Sequence, residues 1–92
     1  MLLSNLGKFI NIQKTYNFKK NKNFSSITAN SKLTDKKTLL IYDKNKKIKR
    51  IYVDEAIRNN IPAIITNKYI NNLKIPQFVV SNINLATNLL LK

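Results

Sequence analysis

Ninety-two residues are enough for one domain with one core and too few for two. The chain has no cysteine and no histidine, which excludes disulfides, thiolate metal sites, histidine ligands and imidazole acid–base chemistry, and fits a reducing, cytoplasmic setting. A formal charge of +13 invites a nucleic-acid reading, but lysine outnumbers arginine fifteen to two and Asn, Lys and Ile, all encoded by A/T-rich codons, fill nearly half the chain, so composition accounts for the charge and argues against that partner.

The chain opens with Leu2, Leu3, Leu6, Phe9 and Ile10 on one face at helical spacing, which predicts a short amphipathic helix over residues 2–11 despite Gly7. Residues 13–23 are polar and non-periodic and read as an exposed basic connection, with Tyr16 and Phe18 either pinning it to the domain or standing solvated. Residues 1–23 are thus a leading helix and linker, and residues 24–92 are the folded unit. The first 34 residues hold six lysines and no acid, yet lack the Arg- and Ser-rich character of a transit peptide. No stretch approaches the roughly 20 apolar residues that span a bilayer.

Phe24–Ala29 reads as a first strand that ends in the polar pair Asn30-Ser31, and Thr38–Tyr42 as a second, apolar one. Asp43–Arg50 carries Lys44, Lys46, Lys47, Lys49 and Arg50 and reads as an exposed loop. A helix follows with Tyr52, Val53, Ala56, Ile57 and Asn60 on one side. Asp54 and Glu55 are expected in its first turn, Arg58 near its end, and a stop at Asn59-Asn60 ahead of Pro62. Residues 62–66 and 77–80 are continuous apolar strands, the pattern of a parallel sheet covered on both faces. A last helix starts near Asn82 and runs on Ile83, Ala86, Leu89 and Leu90. Its uncapped apolar end at Leu89–Lys92 is the pattern of a chain that continues. The order implies an α/β fold, a small mostly parallel sheet flanked by helices, with right-handed crossovers.

Open parallel sheets bind ligands at the carboxyl ends of their strands. The candidate site is therefore Thr28–Lys32, the loop after Tyr42, Thr66-Asn67-Lys68 and Ser81-Asn82. Ser31 offers a hydroxyl, Asn30 a carboxamide able to read a pyrimidine edge, and Lys32 a cation for phosphate. The same residues are also everyday turn and cap formers, so a ligand-binding and a purely conformational reading stand side by side.

The ordered set of junctions resembles the N-terminal domain of the Mur ligases, the ATP-dependent enzymes that add amino acids to the UDP-linked muramic acid precursor of peptidoglycan. Thr28-Ala29-Asn30-Ser31-Lys32 is similar to the family's Thr-Asp-Ser-Arg strand end, and Thr38-Leu39-Leu40-Ile41 to its second strand. Tyr52-Val53-Asp54-Glu55-Ala56-Ile57-Arg58-Asn59-Asn60-Ile61 is similar to its Phe-Ile-x-x-Ala-x-x-x-Gly-Ala helix. Ala63-Ile64-Ile65 and Ile75–Val80 are similar to the remaining strands. The likeness covers residues 24–92 and is greatest to the members that add the third peptide residue, diaminopimelate or lysine; the member adding D-alanyl-D-alanine shares much of it.

The resemblance implies a cytoplasmic module of cell-wall synthesis that holds the UDP end of UDP-N-acetylmuramoyl-dipeptide, with Ser31 among the contacts and Asn30, Lys32 and Thr28 beside it. ATP and Mg2+ would be used by ATP-binding and C-terminal domains outside this sequence. Three departures stand out: Asn30 replaces Asp, Lys32 replaces Arg, and Asp43–Arg50 lacks the family's Gly-x-x-x-Asp-Gly loop, whose glycines let backbone amides approach a diphosphate. With Gly7 the only glycine and four acids in all, the chain has no phosphate-binding loop and no set of metal-binding carboxylates, so it is not expected to catalyse on its own. Two other readings remain at this point. One is a small basic nucleic-acid-binding protein using the 44–50 loop with Tyr42 and Tyr52; the other is a Mur-like domain that has lost its ligand.

Overall fold

A computed structural model describes residues 1–46 and 48–91; Lys47 of the basic loop and Lys92 of the terminal run lie outside the described residues. A 3-10 helix, Leu3–Lys8, precedes β1 (Ile12–Tyr16) and β2 (Ser26–Thr28). A 3-10 turn, Ser31–Leu33, leads to β3 (Thr38–Tyr42), α1 (Arg50–Arg58), β4 (Ile64–Thr66), β5 (Gln77–Val80) and α2 (Ile83–Leu90). The five strands lie in the order β1-β5-β4-β3-β2; the last four are mutually parallel and β1 runs antiparallel to β5.

The sheet is therefore mixed, not the mostly parallel one expected. The difference is β1, which occupies part of the stretch read as an exposed connection. An edge strand needs only one hydrogen-bonded neighbour, so it can be nearly all polar and show no periodicity. Only Ile12 and Tyr16 of β1 are partly buried, and the register shifts between Ile12 and Lys14. Tyr16 and Phe18 do pin the segment: Tyr16 packs on Tyr69 with ring centroids 4.5 Å apart, and Phe18 meets Phe78 edge-on at 5.6 Å. The expected amphipathic helix over residues 2–11 is the shorter 3-10 helix, and its Leu3 and Leu6 are fully buried.

Side chains of a strand alternate between faces, and here both faces are covered. Leu39 and Ile41 of β3, Ile65 of β4 and Phe78 and Val80 of β5 pack with Leu3, Leu6, Ile10 and Phe24 from the N-terminal segment and Ile83 and Ala86 of α2. On the other face Leu40, Tyr42 and Ile64 pack with Val53 and Ala56 of α1, Ile61, and Ile70 and Leu73 of the β4–β5 connection. Leu89 of α2, expected inside, is exposed, and Leu90 is the residue that turns toward the core.

The helix α1 starts two residues before Tyr52, with Lys49 as its cap residue, so Asp54 and Glu55 are not in its first turn. Asp54 instead pairs with Arg50 one turn back at 3.1 Å. The stop falls as expected: Asn59 caps the helix, Asn60 takes the left-handed φ of 64°, and buried Pro62 follows. Asn17 and Asn72 have the same conformation, at 58° and 62°.

Parallel neighbours are usually joined through a helix, but residues 67–76, between β4 and β5, contain none. Side chains hold this crossover. The fully buried Gln77 accepts from the Ile70 N–H at 2.8 Å and donates to the Ile70 carbonyl at 2.9 Å. Lys44 Nζ donates to the Tyr69 carbonyl, Arg50 to those of Asn71 (2.9 Å) and Asn72 (3.5 Å), and Asn17 Nδ2 to that of Leu73. Five consecutive carbonyls are thus each met by a side chain. Replacing Gln77 with Leu keeps the volume but orphans a buried donor and acceptor at about 1–3 kcal/mol each, so urea denaturation of Gln77→Leu is expected to show a loss of about 2–4 kcal/mol. A loss under about 0.5 kcal/mol would mean that the crossover does not depend on this amide.

At the other edge, Thr38 donates to Asp35 Oδ1 at 2.7 Å and so accepts from Ser26 Oγ at 2.9 Å, tying β2 to β3. The Thr38 hydroxyl, then the Lys37 N–H, hold the Asp35 carboxyl below its ordinary value of 3.8, with the Lys36 and Lys37 charges adding to this. Because the folded-state value is depressed, the stabilisation is complete above 3.8 and fades as pH falls through the lower folded value. Thermal melting of wild type and Asp35→Ala should therefore differ at pH 7 and converge in strong acid; a gap that stays constant with pH would refute the assignment.

A candidate ligand cleft at the strand carboxyl ends

The end of β2 is shaped by short polar contacts. Asn30 N–H donates to Thr28 Oγ1 at 3.1 Å, and Asn30 Oδ1 accepts from the Lys32 N–H at 3.0 Å, capping the 3-10 turn. Ser31 is only 5% exposed and its Oγ donates to Glu55 Oε1 of α1 at 2.7 Å. The Ser31 carbonyl accepts from Thr34 Oγ1, which in turn accepts from Asn59 Nδ2. Two side-chain links thus fasten this turn to α1.

Beside the turn lies a cavity of about 220 Å3. Ala29, Asn30 and Ser31 line it from the end of β2, Leu40, Ile41 and Tyr42 from β3, Ile48 from the loop and Tyr52 from α1. Ile48 and Tyr52 are 37% and 44% exposed, large apolar groups left in solvent at its border. A smaller hollow of about 100 Å3 shares Ala29, Ile41 and Ile48 with it and continues to Asp43, Lys46 and the first turn of α2. Together they form a cleft along the carboxyl edge, polar at the Asn30-Ser31 end and lined by Asp43 and Lys46 at the other.

Of the residues expected at the site, Asn30 and Ser31 line the cleft. Thr28 and Lys32 do not; Thr28 contributes its hydroxyl to the turn, and Lys32 contributes its backbone N–H. Thr66 donates to the Lys68 carbonyl and Asn67 to Asp43, so the end of β4 is taken up by its own turn and by the loop after β3. Ser81 and Asn82 border a separate hollow with Leu85 and Leu89, where Asn82 caps α2 through the Leu85 N–H. The basic loop is divided in labour: Lys44 and Arg50 hold the crossover, Lys46 faces the cleft, and Lys49 borders another depression with Ile51, Tyr52 and Arg58. Tyr42 is buried and donates its hydroxyl to the Ile48 carbonyl, which leaves Tyr52 as the accessible ring of the pair.

Glu55 is the contact that sequence reasoning missed. It lies 24 positions from Ser31, and its placement in the chain suggested only a helix-dipole role. Among the described residues no group of His, Cys, Asp or Glu could hold a metal ion, and no helix is long and apolar enough to cross a membrane. The division within the loop has a measurable consequence. Arg50→Met, which removes an ion pair and two carbonyl contacts, is expected to cost about 1–2 kcal/mol in urea denaturation, whereas Lys46→Met stays within about 0.5 kcal/mol of wild type. Equal losses would show that no such division exists.

No protein-family model matches the chain, and no curated protein matches it in sequence.

Proposed function

We propose that this domain anchors the UDP end of UDP-N-acetylmuramoyl-dipeptide for a Mur-type, ATP-dependent amino-acid ligase of peptidoglycan synthesis. The observation that carries the reading is the cleft itself: an apolar cavity at the carboxyl ends of parallel strands, with Asn30 and Ser31 at one end and a lysine at the other. A pyrimidine ring placed in the larger cavity has Tyr52 and Ile48 for apolar contact and the Asn30-Ser31 pair for its polar edge. Lys46 then stands where the diphosphate leaves the cavity and serves as a point charge in place of glycine-loop amides.

The residues here do not fit ATP or Mg2+. The only glycine, Gly7, lies in the 3-10 helix Leu3–Lys8, and no carboxylate set for a metal occurs among the described residues. In a ligase those groups would belong to the other domains, and the part played by this one is to position the substrate.

Titration with UDP-N-acetylmuramoyl-dipeptide, followed by amide NMR, is expected to give saturable shifts confined to Asn30, Ser31, Ile48, Tyr52 and their neighbours. Tyr52→Ala should weaken binding about tenfold, the scale of a lost ring stack. Salt-sensitive binding of a short oligonucleotide with no response to the nucleotide sugar would overturn the proposal.

A further inference from the structure

Resting on that reading, we infer that Glu55 is a positioning residue that sets the hydrogen-bond polarity of the Asn30-Ser31 end of the cleft, so that it takes a neutral ring edge carrying an N–H beside a carbonyl. A serine hydroxyl has one proton, and an ionised carboxylate can only accept. At 2.7 Å Glu55 Oε1 takes that proton, and Ser31 Oγ keeps only acceptor lone pairs for a ligand. Asn30 supplies the donor: its Oδ1 is anchored by the Lys32 N–H, which leaves the NH2 group free of that contact.

An acceptor and a donor side by side complement a lactam edge, N–H next to C=O, such as that of a uracil ring. The same carboxylate works against a phosphate at this end. That puts the ring, not the phosphates, at the Ser31 end; the adjoining hollow carries Lys46 together with Asp43, so the lysine serves there as a local hydrogen-bond donor and not as a net positive field. The resemblance to a known domain does not call for Glu55; the inference comes from its contact with a nearly buried serine that borders the cavity.

The test measures uridine diphosphate and its N3-methyl analogue, which lacks the N–H, against three proteins by calorimetry. Wild type is expected to prefer the unmethylated ligand about tenfold, the scale of one hydrogen bond and its unpaired remainder. Glu55→Leu frees the Ser31 hydroxyl to rotate, so it no longer presents a fixed acceptor and the ratio should fall about threefold or more, while Glu55→Gln, which still offers an acceptor, should preserve it. Thermal melts establish that each variant is folded. If Glu55→Leu weakens both ligands equally with the ratio unchanged, Glu55 is merely structural and the inference falls. Equal binding of both ligands by wild type also overturns it, while leaving the nucleotide-binding proposal intact. Failure of wild type to bind either uridine diphosphate or the muramoyl dipeptide would overturn both.

Discussion

A parallel strand pair joined without a helix leaves a run of backbone with no partners of its own, and this fold depends on how that run is satisfied. The β4–β5 crossover also supplies Ile70 and Leu73 to the core face shared with α1, so it must be both apolar and held in place. The solution is distributed. Asn17 comes from the turn after β1, Lys44 and Arg50 from the two ends of the β3–α1 loop, and Gln77 from β5 itself. Three parts of the chain far apart in sequence are thereby referred to one short segment. The wall of the cleft that contains Lys46 and Ile48 is fastened at both ends to the crossover, so the shape of the site is set partly from outside it.

The surface charge is managed with very little counter-charge. All four acids are occupied in shaping the fold: Asp35 joins β2 to β3, Asp43 caps its loop and holds Asn67, Asp54 pairs with Arg50, and Glu55 takes Ser31. A field this positive attracts anions everywhere, so selectivity cannot come from charge alone. Under the proposed function it comes instead from hydrogen-bond donors and acceptors fixed in direction, as the contact of Glu55 with Ser31 would fix them.

What the sequence made legible followed from strong local signals. The apolar run of β3, the Asn59-Asn60 stop ahead of Pro62, the entry to β5 after Pro76 and the Asn82 cap all stand where pattern put them. What it hid was non-local. β1 is held by β5, not by its own periodicity, and Gln77 in a strand does not announce that it grips a peptide unit seven residues earlier. At the candidate cleft, Asn30 and Ser31 could be nominated because they end a strand and they do line the cavity, while Glu55 could not, because no spacing rule connects a turn to a helix 24 residues away. Thr28 and Lys32 were nominated by proximity in sequence; Thr28's hydroxyl accepts from the Asn30 N–H, Lys32's N–H donates to the Asn30 side chain, and neither residue lines the cleft.

The three left-handed residues give the chain's composition a structural edge. With its single glycine in the 3-10 helix, the left-handed positions at 17, 60 and 72 rest on asparagine, the side chain that best tolerates this conformation after glycine. Asparagine and lysine codons differ only in the third base, so a single base change interconverts the two residues this chain is richest in. At these three positions the two are not equivalent. Lysine lacks the short carboxamide that eases a positive φ, and at Asn17 it would also remove the donor to the Leu73 carbonyl. Asparagines that look like part of a compositional background thus meet a specific backbone demand at these positions.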